Sequence, residues 1–225
     1  MTHLGPYPLD SIITGDAREL AKAIPDESVD LIFTDPPYHK QHLPLYGWLG
    51  TFAQRVLKPS GFLLTYCGNA YKNQVIRQLD DSGMLFFWDY QTVDYPACMV
   101  WDRWTTAQTK SVLAYRKDGK AKPRTTVLGL WRGTGQDKLY HAWGQDESTA
   151  RYYVDCFTVL GQTVLDPFIG GGSTAVASFV IGRHWLGFEI DPDTATRASH
   201  RVLMTQPPLV FPEHEQLTFD TTAAS

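Results

Sequence analysis

Thr163-Val164-Leu165-Asp166-Pro167-Phe168-Ile169-Gly170-Gly171-Gly172-Ser173-Thr174 reads as a strand, a glycine-rich turn and the first turn of a helix. Ala175 to Ile181 continues the helix, and His184 to Asp191 forms a second strand ending in acids. Glycines let the backbone approach a ligand closely, and the helix N-terminus presents unpaired N–H groups. Glu189 lies 23 residues after Asp166. At that strand–loop–helix–strand spacing a carboxylate can hold ribose hydroxyls. The unit predicts a parallel α/β sheet that binds its ligand at the carboxyl ends of the strands.

A second apolar run, Val29-Asp30-Leu31-Ile32-Phe33-Thr34, ends in Asp35-Pro36-Pro37-Tyr38. The run reads as a buried parallel strand, so the tetrapeptide also sits at a carboxyl edge. Asp35 offers a carboxylate acceptor. Pro36 and Pro37 stiffen the turn and donate no N–H, leaving the Pro36 carbonyl to point outward. Tyr38 offers a flat face for stacking. Two acceptors beside an aromatic platform suit an exocyclic amine on a planar heterocycle; the plainer alternative is a proline-rich turn that only caps a strand.

Elsewhere the pattern predicts helices over 16–23, 43–57, 70–79 and 149–160 and strands over 62–66 and 84–90. Residues 97–101 and 111–115 read as a hairpin pair, and 116–143 as a loop region. Leu45, Leu49, Phe52 and Val56 are expected on the buried side of the second helix. Asp191 before Pro192 suits a helix cap. The alternation argues for a mostly parallel, doubly wound sheet with helices on both faces. A single domain is expected over 1–205, with an irregular tail from 206 to 225.

These motifs resemble the S-adenosylmethionine-dependent DNA amino-methyltransferases, which modify adenine N6 or cytosine N4. The match extends to Gly15-Asp16-Ala17, to Ser28-Val29-Asp30 and to Arg55-Val56-Leu57-Lys58-Pro59-Ser60-Gly61, and covers roughly residues 12–80 and 141–203. Asp-Pro-Pro-Tyr precedes the glycine loop, the order of the β-class, which implies a circularly permuted Rossmann-like methyltransferase fold. The resemblance implies Asp35, Pro36, Pro37 and Tyr38 as the catalytic turn. It implies S-adenosylmethionine held by Asp16, Ala17, Asp166, Pro167, Phe168, Gly170, Gly172, Ser173, Thr174 and Glu189. For Asp16 a plain helix cap is an equal alternative. The Lys-Pro pair that many relatives carry before the cofactor strand is replaced by His141 to Ser148. The implied partner is double-stranded DNA with the target base flipped out onto Tyr38; a homodimer is implied as possible. Asp at the first motif position favours adenine N6 over cytosine N4. The same chemistry on RNA or a glutamine side chain, a nucleotide-binding oxidoreductase and a catalytically silent DNA-binding module are the competing readings.

Composition bounds the rest. The 225 residues carry a net charge of −4 and 43% hydrophobic residues, enough for one α/β core. No apolar run reaches membrane-spanning length, and the start lacks the pattern of a signal peptide. Cys67, Cys98 and Cys156 lack disulfide-framework or zinc spacing, pointing to a reducing cytoplasm without a bound metal. Between Trp101 and Tyr140, nine basic residues face three acids, with five Trp or Tyr side chains interleaved. Such a stretch, about 101–143, is expected to track phosphates and pack against bases.

Overall fold

Eight strands build the central sheet: β1 (Ser11–Thr14), β2 (Val29–Thr34), β3 (Leu57–Cys67), β4 (Leu85–Thr92), β5 (Lys110–Arg116), β6 (Leu130–Trp131), β7 (Thr163–Asp166) and β8 (His184–Glu189). Their order is β6-β4-β5-β3-β2-β7-β8-β1. Only β5 runs against its neighbours; every other adjacent pair is parallel. The computed structural model describes residues 2–93, 97–133 and 147–205, without the side chains of Cys98 and Asp102. The expected tail from 206, the part of the aromatic and basic stretch over 134–143 and residues 141–146 of the segment that replaces the Lys-Pro pair lie outside the described residues.

Six helices accompany the strands: α1 (Ala17–Leu20), α2 (Pro44–Val56), α3 (Lys72–Asp80), α4 (Glu147–Phe157), α5 (Ser173–Val180) and α6 (Pro192–Met204). The sheet has a core on each face. On one, α2 and α3 bring Tyr46, Leu49, Phe52, Val56, Val75 and Leu79 against Leu63, Leu113 and Leu165. On the other, α4 and α5 bring Tyr153, Val154, Phe157 and Val176 against Phe33, Leu64 and Val112. Strand side chains alternate between the two faces, so a strand with helices on both sides is buried along its whole length and largely apolar. All six residues of β2 are buried.

From β2 the chain moves to β3 on one side; from β7 it moves to β8 on the other. The sheet therefore reverses direction between β2 and β7, which lie side by side with Leu31 opposite Val164 and Ile32 opposite Leu165. Crossover connections diverge at such a point and leave a crevice beyond the strand ends. The two motifs read from the sequence both end there.

Several expectations change. Residues 97–101 do not pair with 111–115: Cys98–Val100 pairs with Thr105–Ala107, and β5 lies between β3 and β4. The reason is burial. Ser111 to Tyr115 are wholly inaccessible, and a strand apolar on both faces belongs inside the sheet. The expected loop region contains the two-residue edge strand β6, and β3 begins at Leu57 because that residue pairs with Val29. In α2, Tyr46 takes the buried place expected for Leu45, which turns to the crevice instead. Asp191 does cap α6, accepting from the Thr194 amide at 2.9 Å.

Leu113 tests the central placement of β5. Leu113→Ala should cost about 2–5 kcal/mol in urea unfolding, as buried leucine truncations do, whereas Leu130→Ala on the exposed edge should change stability by less than about 0.5 kcal/mol.

Candidate active site

One cavity of about 1180 Å³ opens beyond the carboxyl ends of β2 and β7. The Asp35–Tyr38 turn forms one wall. Pro167, Phe168, Gly170, Gly171, Ser173 and Thr174 form another, and Asp16, Ala17 and Glu189 a third. The sequence-predicted residues are thus brought together, with one exception. Gly172 faces away from the cavity: it starts α5 at φ 81°, and a Cβ there would come within 3.2 Å of Ala198. Its place is set by a left-handed turn and close packing on α6.

The two motif strands are joined at their tips. The buried Thr34 hydroxyl donates to Asp166 Oδ1 at 2.6 Å, and the Phe168 amide donates to the same oxygen at 3.0 Å. Burial pushes the Asp166 carboxyl up to about 6, against opposing hydrogen bonds from Thr34, Thr174 and the Phe168 amide. At the far end of the pair, Asp30 accepts from the Thr163 amide at 2.9 Å and from Lys58 at 2.8 Å. Arg201 of α6, itself buried, donates to the Gly171 carbonyl at 3.0 Å and to the Ser173 hydroxyl at 3.2 Å, fixing the glycine turn from behind.

Glu189 is oriented by two amides, from Gly170 at 3.0 Å and Asp191 at 2.9 Å. A carboxylate has lone pairs beyond these, so it can also accept from a ligand hydroxyl. Asp16 does two things that the sequence left as alternatives. It caps α1 through the Arg18 amide at 2.9 Å, and it lines the cavity. Its hydrogen bonds with Arg18 hold its carboxyl below the usual value.

At the Asp-Pro-Pro-Tyr turn, the Tyr38 hydroxyl donates to Asp35 Oδ1. Burial, then the neighbouring Asp35 carboxylate, pushes the Tyr38 hydroxyl well up, so it keeps its proton and remains a donor. A Cβ at Gly68 would sit 3.3 Å from Tyr38 Cβ, so glycine there lets the tyrosine lie close to the end of β3. Lys110, at the start of β5, reaches Asp35 Oδ2 at 3.0 Å. Its ammonium stands 4.5 Å from the centre of the Tyr38 ring and 4.4 Å from that of Tyr66.

Sequence reading missed Lys110, Tyr66 and Gly68. The available signal was a lone lysine opening an otherwise uncharged strand core, Lys110-Ser111-Val112-Leu113-Ala114-Tyr115. The expected phosphate-tracking strip is also thinned. Lys110 pairs with Asp35, Lys117 with Glu27 and Arg124 with Asp155, while Arg116 bonds the Ala121 carbonyl. Arg103, though exposed, bonds the Ala70 carbonyl, and Lys120, Lys122 and Arg132 are exposed among the described residues. No cluster of side chains suited to a metal is present among the described residues, nor is any helix there long and apolar enough to cross a membrane.

A family profile described as DNA methylase, of the N6/N4 type, matches residues 127–199, a span that includes the glycine loop and Glu189. The type II methyltransferase M.BamHI of Bacillus amyloliquefaciens is 27% identical over 81% of this chain and 55% of its own length. YubD of Escherichia coli K12, named as a putative methylase, is 27% identical over 81% of this chain and 85% of its own length. The chain thus spans little more than half of M.BamHI and most of YubD. Among solved structures, the PvuII DNA methyltransferase, cytosine-N4-specific, superposes with a TM-score of 0.75 at 18% identity, covering 89% of this chain and 87% of that one. TTHA0409 of Thermus thermophilus, complexed with S-adenosyl-L-methionine, gives 0.72 at 22% identity, covering 85% and 92%. These likenesses share the fold. With the profile and the methylase relatives, they support an amino-methyltransferase of this family.

Asp166 gives the site a pH signature. Its folded value of about 6 lies above the ordinary 3.8, so between those limits the folded state binds more protons than the unfolded one. Its contribution to stability is full below 3.8 and is lost as pH rises through about 6. Compared with wild type, Asp166→Asn should lack this decline, a difference on the order of 3 kcal/mol across the window. Urea unfolding of both proteins at about pH 4 and pH 7 measures it.

Proposed function

We propose that this chain, an amino-methyltransferase of the N6/N4 family, transfers a methyl group from S-adenosylmethionine to the exocyclic amine of a base in DNA, and that the base is adenine. The observation that carries the reading is the cavity shared by the Asp-Pro-Pro-Tyr turn, the glycine loop and Glu189.

The donor half of the cavity fits S-adenosylmethionine. Gly170 adopts φ 47° with no atom nearer than 3.9 Å to where a Cβ would stand, so this stretch of backbone lies open to a ligand. Phe168, held edge-on by Trp48 at 5.9 Å between ring centres, gives an apolar wall. Glu189, already oriented by backbone, is the acceptor for ribose hydroxyls, and Asp16 is the polar group on the adjacent wall. S-Adenosylmethionine supplies a methyl carbon on a sulfonium: the amine nitrogen bonds to that carbon, the carbon–sulfur electron pair stays on sulfur, and the amine gives up one proton.

The chain's own task is to present the amine. A base amine is a poor nucleophile because its lone pair is delocalised into the ring. Asp35 and the Pro36 carbonyl accept its two N–H groups and favour a pyramidal nitrogen. Positive charge grows on that nitrogen during attack, and the adjacent carboxylate stabilises it. Tyr38 supports the plane of the flipped base. Holding donor carbon and acceptor nitrogen together is the remaining contribution.

The identity of the base rests on Asp35 at the first motif position. Incubation with S-adenosylmethionine and mixed-sequence DNA, followed by nucleoside mass spectrometry, should yield N6-methyladenine. N4-methylcytosine would keep the mechanism and overturn the base. No methylated nucleoside, with cofactor bound, would overturn DNA as the substrate and favour RNA. Asp35→Ala should lower turnover by at least about 100-fold, as loss of a preorganised electrostatic partner does, while S-adenosylmethionine affinity stays unchanged by calorimetry. Tyr38→Ala should raise the KM for DNA, whereas Tyr38→Phe should change it by less than about threefold, because the ring and not the hydroxyl carries the stacking.

A further inference from the structure

The Asp35 carboxylate is bonded through both oxygens before any substrate arrives. The Tyr38 hydroxyl is on Oδ1, and the Lys110 ammonium is on Oδ2 at 3.0 Å. The two contacts differ in kind. Tyr38 hangs from the same short turn as Asp35 and can pivot about its own side-chain bonds. Lys110 is anchored on β5, whose pairing with β3 is continuous from Ser111 to Arg116 and whose pairing with β4, irregular only between Phe86 and Trp88, begins at Lys110 itself. Its side chain is 10% exposed and is enclosed by the Tyr38 and Tyr66 rings. A buried ammonium is costly unless paired, and the faces of the two rings attract it further. Lys110 is therefore held in one place, and through it one oxygen of Asp35.

We propose that Lys110 is a positioning residue for methyl transfer: it fixes Asp35 through Oδ2 so that Oδ1, covered by the Tyr38 hydroxyl in the resting protein, is presented to the incoming amine. The base then takes over two roles at once. Its amine replaces the tyrosine hydroxyl on Oδ1, and its ring takes the tyrosine face. Without Lys110 the Oδ2 side of the carboxylate loses its strand-anchored partner, and the amine meets an acceptor less well ordered for the reaction. The inference rests on the methyltransferase reading of the site.

A double-mutant cycle in single-turnover methyl transfer tests it, using Lys110→Met, Asp35→Asn and the pair, with Lys110→Arg alongside. Lys110→Met should lower the transfer rate by about 10–100-fold, the range for a lost positioning contact, with the KM for DNA and the affinity for S-adenosylmethionine each within about threefold of wild type. Lys110→Arg should recover part of the rate, because it keeps the charge. In the Asp35→Asn background Lys110→Met should cost nothing further, since its effect runs through that carboxylate. Equal losses in both backgrounds would overturn the proposal, as would a Lys110→Met protein that transfers at the wild-type rate. If Lys110→Met does not fold, Lys110→Gln carries the same comparison. Absence of transfer by the unaltered protein would overturn the methyltransferase reading and the positioning role together; normal transfer by the variants overturns the positioning role alone.

Discussion

A buried hydrogen bond joins the two halves of the site: Thr34 Oγ1 to Asp166 Oδ1, across 132 residues of sequence. It closes the carboxyl end of the β2–β7 pair, where the crossovers diverge. The Asp-Pro-Pro-Tyr turn leaves from one side of this bond and the glycine turn from the other. Their separation is set by the spacing of two neighbouring parallel strands, about 4.8 Å, and not by loop conformation. The cost is a carboxylate held out of water, which is why the Asp166 carboxyl is pushed up to about 6. Asp30 ties the opposite end of the same strand pair through the Thr163 amide. With both ends fixed, β2 and β7 cannot slip in register without moving both walls of the cavity.

The Asp-Pro-Pro-Tyr turn, the glycine turn and Glu189 were legible as one cavity's lining because each is local: a few consecutive residues carry the backbone geometry. The parallel sheet was legible for a similar reason, since largely apolar runs of about four to six residues bounded by turn residues admit few other readings. Lys110 was not. Its partner Asp35 lies 75 positions away, and a lone lysine opening an uncharged strand core marks the position as unusual without saying which group it meets. The placement of β5 failed likewise. Ser111 to Tyr115 show that the strand is buried but say nothing about which strands bury it. Asp16 caps α1 and also lines the cavity, a pairing that the sequence could offer only as alternatives.

The basic stretch illustrates a different limit. Composition counts charges; structure decides which of them are left over. Lys110, Lys117 and Arg124 are neutralised by Asp35, Glu27 and Asp155, all outside the stretch. What the count read as an excess of positive charge for phosphates is in part the internal wiring of the domain.

The order of strands also bears on how the protein comes into being. Among the described residues of the central sheet β1 pairs with β8 alone, and the Gly15 amide donates to the Glu189 carbonyl at 2.8 Å. Residues synthesised first thus find their partners among residues synthesised late. A chain emerging from the ribosome can assemble β2 through β5 while β1 waits, its inward side chains uncovered, until the distant β8 has followed. Contacts of such long sequence separation form slowly because the loop must be closed before they can stabilise anything. Asp16 and Glu189, on opposite sides of that junction, meet only when it forms. The cavity is accordingly among the last parts of the molecule to close, and a chain ended before β8 would keep the Asp-Pro-Pro-Tyr turn yet lack the wall that Glu189 supplies.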